Sequence, residues 1–406
     1  MVDFILERQA QTICLEGRVY HHAELPQLQS ELEQQLAAAT PESAASKQLS
    51  FKLELTAFLR DWFAPSPTLE VKTSGSTGVP KRMQVSKEHM MHSAQLTLEF
   101  LHLKRGDSAL LCMPLEYIAG KMVVVRALVG GLDLYPVAPC GQPLAPVQGQ
   151  GQEYPNLPQP LKFAAMIPLQ VYNSLQDEKQ RQALRDIEQL IIGGGAIDEA
   201  LEQELSTFPH YVWSTYGMTE TLSHIALRRV NGPEASEYYQ PFAHVHLELS
   251  ADDTLVIDAP LVAAERLVTN DIVVFNEKGQ FRIKGRKDNV INSGGVKLQI
   301  EELEAKIKAL QLKWDFQISS KPHPKFGQIV VLLVTRASLH IDITEGELAE
   351  DQLDAVRALI KDALHRLPRY EQPKRFLLVE ALPRTGTNKP DRAQAKLLAA
   401  QATAEL

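Results

Sequence analysis

Positive charge is nowhere concentrated in this chain of 406 residues. Its 42 Lys and Arg face 50 Asp and Glu, a net charge of −8, and no long basic block occurs. That argues against nucleic acid as the main partner, because neutralising a phosphate backbone takes clustered cations. Long apolar runs are missing as well. The most hydrophobic stretch, "GKMVVVRALVGG", is broken by Arg126, so no integral membrane segment is expected. The opening "MVDFILERQA" has no basic patch leading into an apolar core, so no secretory signal is read. Cysteine is scarce: Cys14, Cys112 and Cys140 are odd in number and lack metal-like spacing. A soluble, cytoplasmic protein of a reducing compartment is the expectation.

The length exceeds one ordinary core and implies two or three domains. Residues 24–64 read as two helices separated by "AAATPESAASK". From "LEVKTS" onward short apolar segments alternate with helical ones: "SALLCMP" strand, "GKMVVVRALVGG" helix, "LDLYPV" strand, "LKFAAMIP" and "QLIIGGG" each leading into a helix. Such alternation predicts an α/β fold with a mostly parallel, helix-flanked sheet. The Pro/Gln/Gly-rich "GQPLAPVQGQGQEYPNLPQP" is read as a surface excursion. After about Thr221, "HVHLEL", "TLVIDA", "RLVTNDIVVFN" and "GQFRIKG" predict an antiparallel subdomain. A small α+β segment follows Gly285, with helices near 299–310 and 350–366.

Four stretches carry candidate chemistry. "TSGSTGVPK", Thr73 to Lys81, sets glycines, hydroxyls and one cation together, a composition suited to phosphate. Its spacing is not that of the P-loop, since two residues separate the glycines and Arg82 follows Lys81. "STYGMTET", Ser214 to Thr221, offers the Tyr216 ring for a base, Gly217 for close approach, and Thr219 and Glu220 for phosphate oxygens and a hard cation. Asp271, ending one strand, and Arg286, after the next, are placed to grip ribose hydroxyls. "LPRTGTNKPDR" sets Lys389 in a loop near the C-terminus. Singly each reads as readily as a surface turn or a solvated charge.

In this order the four motifs resemble the adenylate-forming superfamily of acyl-CoA synthetases, luciferases and peptide-synthetase adenylation domains, from about residue 70 onward. The resemblance implies that a carboxylate attacks the α-phosphate of Mg·ATP, and that coenzyme A then displaces AMP. It implies ATP contacts at Thr73, Ser74, Gly75, Ser76, Thr77, Gly78 and Lys81. It also implies them at Gly193, Gly194, Gly195 and Ala196, at Tyr216, Gly217 and Met218, and at Asp271 and Arg286. Catalytic roles fall on Lys389, Thr219 and Glu220, with Glu220 also binding Mg²⁺. Asp288 lies at the hinge between a large domain, residues 1–287, and a small mobile one, 288–406, that carries Lys389. The chain departs from the pattern at Arg82, Asn270 and Asn388, each where glycine is usual, and in a shorter stretch ahead of the first motif.

The acid is read from "CMPLEYIAGKMVVVRALVGG". Tyr117, Gly120, Lys121 and Arg126 fall where that segment lines the acyl pocket in the resembling family. Lys121 and Arg126 lie five apart on a predicted helix and cannot share one narrow face; which of them reaches the pocket stays open. A fatty-acid tunnel has no use for a cation, whereas a second carboxylate does. "PLEYIAGKMVVVRAL" and "YGMTETLSHIALR" look most like the 2-succinylbenzoate–CoA ligases of menaquinone biosynthesis, with Ser223 and His224 bordering the aromatic ring. Another aryl or short-chain acid, or a catalytically silent nucleotide-binding homologue, are the other readings. The oligomeric state is left open, a homodimer among the options.

Overall fold

A computed structural model describes residues 4–72, 82–145, 147–149, 152–154, 157–339, 350–385, 389–402 and 404–405. The phosphate loop expected from the sequence, Thr73 to Lys81, and Asn388 lie outside the described residues.

The main sheet is nine-stranded. Its strands run in the order Gln240–Pro241, His224–Arg229, Tyr211–Gly217, Gln189–Ile192, Phe163–Met166, Ser108–Leu111, Asp133–Pro136, Ile13–Leu15 and Arg18–Tyr20. From Tyr211–Gly217 through Ile13–Leu15 the pairing is parallel, and antiparallel strands close both edges. A parallel sheet must be covered on both faces, and its strands read accordingly: Phe163–Met166 is buried at every position. The N-terminal pair Ile13–Leu15 and Arg18–Tyr20 was not read from the sequence, nor was the short hairpin Val147–Gly149 with Gln152–Tyr154 inside the Pro/Gln/Gly-rich stretch.

Helices start where side chains satisfy orphan N–H groups. Ser43 accepts from the Ser46 amide ahead of Ala44–Phe63, and Ser86 from the His89 amide ahead of Lys87–Phe100. The helix Ile118–Gly130 is rich in valine, which by itself favours strands. Burial on every side overrides that preference, because a helix apolar all round suits a position between a sheet and another helix. Residues Met122 to Val125 and Ala127 to Val129 are fully buried, and Gly131, at φ +63°, ends the helix in a left-handed turn.

A four-stranded antiparallel sheet follows: His246–Leu249, Thr254–Asp258, Leu267–Phe275 and Phe281–Arg286. It fits the subdomain expected after Thr221. Beyond it a six-stranded mixed sheet, with Ile300–Ala309 and Glu350–Leu364 as helices, forms its own apolar cluster around Ile318, Val330, Leu332, Val356 and Phe376. Among the described residues no helix is long and apolar enough to cross a membrane.

Candidate active site

Two clusters of the expected side chains come together, one around Asp271 and one around Arg126. Both lie near the carboxyl end of Tyr211–Gly217, where open α/β sheets place ligands.

The first cluster is a chain of charges. Asp271 and Arg286 are directly paired residues of neighbouring strands. The Tyr216 hydroxyl donates to Asp271 Oδ2 at 2.5 Å, and Arg286 donates from Nη1 to Oδ1 at 3.2 Å. Arg286 also grips Asp288 with two bonds, at 2.9 and 2.8 Å. Burial pushes the Tyr216 hydroxyl far above its ordinary pKa, and Asp271 adds to the shift, so Tyr216 acts only as a neutral donor. Its ring is fixed edge-on by Phe281, centroids 5.0 Å apart, and by Tyr239. Burial alone would raise Asp288, but the Arg286 pair, helped by Asn270, outweighs it and holds the carboxyl below its usual range. Asn270, where the family pattern has glycine, therefore supplies a hydrogen bond to the Asp288 carboxylate. Lys389, half-buried, is pushed below the ordinary lysine value by burial and then by the nearby charge of Arg286. Its backbone is tied to Thr385, whose amide donates to the Lys389 carbonyl at 2.8 Å.

Along the rim, Gly193, Gly194, Gly195 and Ala196 follow the strand Gln189–Ile192, with Gly194 at φ +78°. Gly193 closes on Thr215, where an added Cβ would sit 2.4 Å from the hydroxyl. Thr219 and Glu220 stand in the short turn Thr219–Thr221 just past Gly217 and Met218, with Glu220 exposed. No group of three His, Cys, Asp or Glu among the described residues makes a metal cage. Magnesium does not require one: it takes one or two carboxylates and completes its shell with substrate phosphates and water, so the Glu220 carboxylate fits it.

The second cluster surrounds Arg126, 2% exposed among valines. Nη2 donates to Ser223 Oγ at 2.6 Å, while Nε is buried without a partner. Among the described residues no carboxylate pairs with it. Burial lowers its pKa to about 9, still well above neutrality, so the guanidinium stays charged. His224 lies beside it, with Nδ1 3.3 Å from Ser223 Oγ and Nε2 3.0 Å from Thr97 Oγ1. Burial and then the Arg126 charge press the His224 pKa well below 6.5, and the ring is neutral. Gly217 makes this possible, since a Cβ there would lie 2.2 Å from the Ser223 carbonyl oxygen.

The other pocket candidates stand apart from this group. Lys121 donates to the Leu115 carbonyl at 2.5 Å and lies over the Phe58 ring. Of the two cations left open by the sequence, Arg126 is thus the one joined to Ser223 and His224. Gly120 packs on backbone, its missing Cβ only 2.3 Å from the Pro114 carbonyl oxygen. Tyr117 precedes the helix and bridges to Lys72 in parallel register. A separate cavity of about 330 Å³ lies in the C-terminal region, lined by Lys361, Arg369, Lys374 and Arg375 among others, and shares no residue with either cluster.

The AMP-binding enzyme family matches residues 71–265. A solved AMP-forming acyl-CoA synthetase/AMP-acid ligase II-like protein from Dyadobacter fermentans is 28% identical, covering 88% of this chain and 96% of its own, with a TM-score of 0.54. The fold is the one seen in solved AMP-forming acyl-CoA synthetases. The chain resembles the AMP-binding, adenylate-forming enzymes, 2-succinylbenzoate–CoA ligases among them. The ligase of that name from Salmonella typhimurium is 26% identical over 322 residues, which are 75% of this chain and 63% of the relative. The chain thus spans less than two thirds of that relative's length. The o-succinylbenzoate CoA synthetase of Bacillus subtilis, solved with its acyl-adenylate intermediate, aligns over 98% of both chains at 16% identity and a TM-score of 0.63.

For an adenylate-forming fold, sequence reading missed two participants. Thr97 sits unremarked in the helical "SAQLTLEF", and nothing in its neighbours signals a partner 127 residues away. Asn270 registered only as a departure from the family pattern.

Proposed function

We propose that this chain is an ATP-dependent acid–CoA ligase working through an acyl-adenylate, with 2-succinylbenzoate as its acid. The observation that carries the choice of acid is Arg126, a buried, charged guanidinium with an unpartnered Nε and, among the described residues, no carboxylate beside it. Burying an ion costs several kcal/mol unless it is paired, and a fold keeps such a cation where a ligand supplies the anion. The second carboxylate of 2-succinylbenzoate is such an anion, and the similarity to 2-succinylbenzoate–CoA ligases points the same way.

In the proposed reaction one carboxylate of the acid attacks the α-phosphorus of ATP; the bond to the β-phosphate breaks and pyrophosphate leaves. The thiol of coenzyme A then adds to the acyl carbon and AMP departs. Asp271, fixed by Tyr216 and Arg286, presents oxygens for ribose hydroxyls. Lys389, held near Arg286 in the structure, supplies positive charge where the α-phosphate and carboxylate react. Glu220, with Thr219, would hold Mg²⁺, which offsets the charge of the phosphates. The division into residues 1–287 and 288–406, with Asp288 between, lets Lys389 withdraw before the thiol enters.

The test is acid-dependent pyrophosphate exchange and AMP release over aryl, aliphatic and dicarboxylic acids. 2-Succinylbenzoate should exceed benzoate and medium-chain fatty acids by a wide margin. Equal turnover of a simple fatty acid would remove the dicarboxylate assignment, and nucleotide binding without exchange for any acid would mark a silent homologue.

A further inference from the structure

We propose that Thr97 is a positioning residue for acid selection: through His224 and Ser223 it sets the polarity of the hydrogen bonds that aim Arg126 at the substrate's second carboxylate. This rests on the dicarboxylate reading above and extends it to a residue that touches no substrate.

Thr97 is fully buried on the helix Lys87–Phe100. Its hydroxyl has one proton, and two acceptors compete for it: the Ser93 carbonyl at 3.2 Å and, in one tautomer, His224 Nε2 at 3.0 Å. The Arg126 charge decides between them. Nδ1 is the ring nitrogen on the Ser223 side, beside the guanidinium, and a lone pair there is attracted to the cation where an N–H would be repelled. The ring therefore carries its proton on Nε2, Thr97 accepts that proton, and the Thr97 proton goes to Ser93. Bare Nδ1 then accepts from Ser223, whose own proton is spent. Ser223 faces Arg126 with lone pairs only and accepts Nη2 at 2.6 Å. Each link sets the direction of the next. Phe242 packs edge-on against His224 at 5.4 Å and holds the ring plane, so loss of Thr97 leaves the ring in place but its Nε2–H buried without an acceptor, a cost that offsets the bias from Arg126 and mixes the tautomers. With the other tautomer Ser223 can turn its proton on Arg126, and two donors then face each other.

The experiment compares wild type, Thr97→Val and Thr97→Ser with 2-succinylbenzoate and with benzoate. Thr97→Val should raise the 2-succinylbenzoate KM about 3- to 10-fold, the size of one buried hydrogen bond. Its kcat, the ATP KM and the benzoate KM should hold, and Thr97→Ser should restore wild-type behaviour. An equal rise for both acids, no rise, or no rescue by serine overturns the proposal. Nitrogen-15 spectra of the histidines test the relay apart from any substrate. A single neutral Nε2–H signal for His224 is expected in wild type and mixed tautomers in Thr97→Val; an Nδ1–H wild type overturns it. Should wild type use both acids alike, the dicarboxylate reading fails by itself, and these spectra still decide the relay.

Discussion

Replacing Arg126 with methionine should stabilise the ligand-free protein while destroying its grip on the acid. The side chain is 2% exposed, makes one hydrogen bond, to Ser223, and leaves Nε unsatisfied. Methionine has similar length and no charge, so the desolvation cost of the cation disappears. Exchanges of buried ionic groups for apolar ones of like volume gain about 1–4 kcal/mol, and that range sets the expectation here. The opposite holds in the complex. A hydrogen bond to a charged group is worth about 1.5–3 kcal/mol, so the acid KM should rise about 10- to 150-fold while the ATP KM stays near wild type. Urea unfolding of both proteins, with and without 2-succinylbenzoate, reads the first effect. The acid should raise the wild-type midpoint and leave the variant's unchanged, since ligand stabilises only the state that binds it. A loss of about 3–5 kcal/mol in the free variant, the signature of a broken buried pair, together with an unchanged acid KM, would refute the reasoning.

Lys389→Ala should slow adenylate formation by about 10²-fold or more, as loss of a transition-state donor does, yet leave thioester formation from synthetic acyl-adenylate nearly intact. Equal failure of both half-reactions would contradict a withdrawing Lys389. Gly120→Ala places a Cβ 2.3 Å from the Pro114 carbonyl oxygen, and the helix bearing Arg126 must shift. A destabilisation of about 1–3 kcal/mol is expected in a denaturation midpoint, and a neutral result would mean the contact relaxes freely. His224 is held neutral with a pKa well below 6.5, so the unfolded chain takes up a proton there before the folded one. Its contribution is therefore present above pH 6.5 and lost as pH falls. Between pH 7.5 and 5.5 wild type should lose more stability than His224→Gln, measured by urea midpoints, and parallel pH profiles would show the ring protonating in place.

The alternation of apolar strands and helices, the antiparallel run after Thr221 and the Val-rich helix were all legible in local pattern. Each is decided within a dozen neighbours, and Gly131 alone stops the helix. The edge pair Ile13–Leu15 and Arg18–Tyr20 was not, because three-residue strands carry too little periodicity and owe their place to pairing with Asp133–Pro136, over a hundred residues away. The site divided in the same way. Asp271 and Arg286 could be paired from strand ends, and Arg126 stood out as a lone cation in an apolar run. Choosing Arg126 over Lys121 required knowing that the Leu115 carbonyl already holds the lysine. Thr97 and Asn270 act through distant partners, and their own residue types announce nothing.

The most direct test of the ligase account is a single incubation followed by mass spectrometry. Protein, Mg·ATP and 2-succinylbenzoate, without coenzyme A, should yield bound 2-succinylbenzoyl-adenylate and pyrophosphate. Adding coenzyme A should convert that adenylate to the thioester with release of one AMP. Finding ATP unconsumed, or hydrolysed to ADP without an acyl-adenylate, would contradict the account.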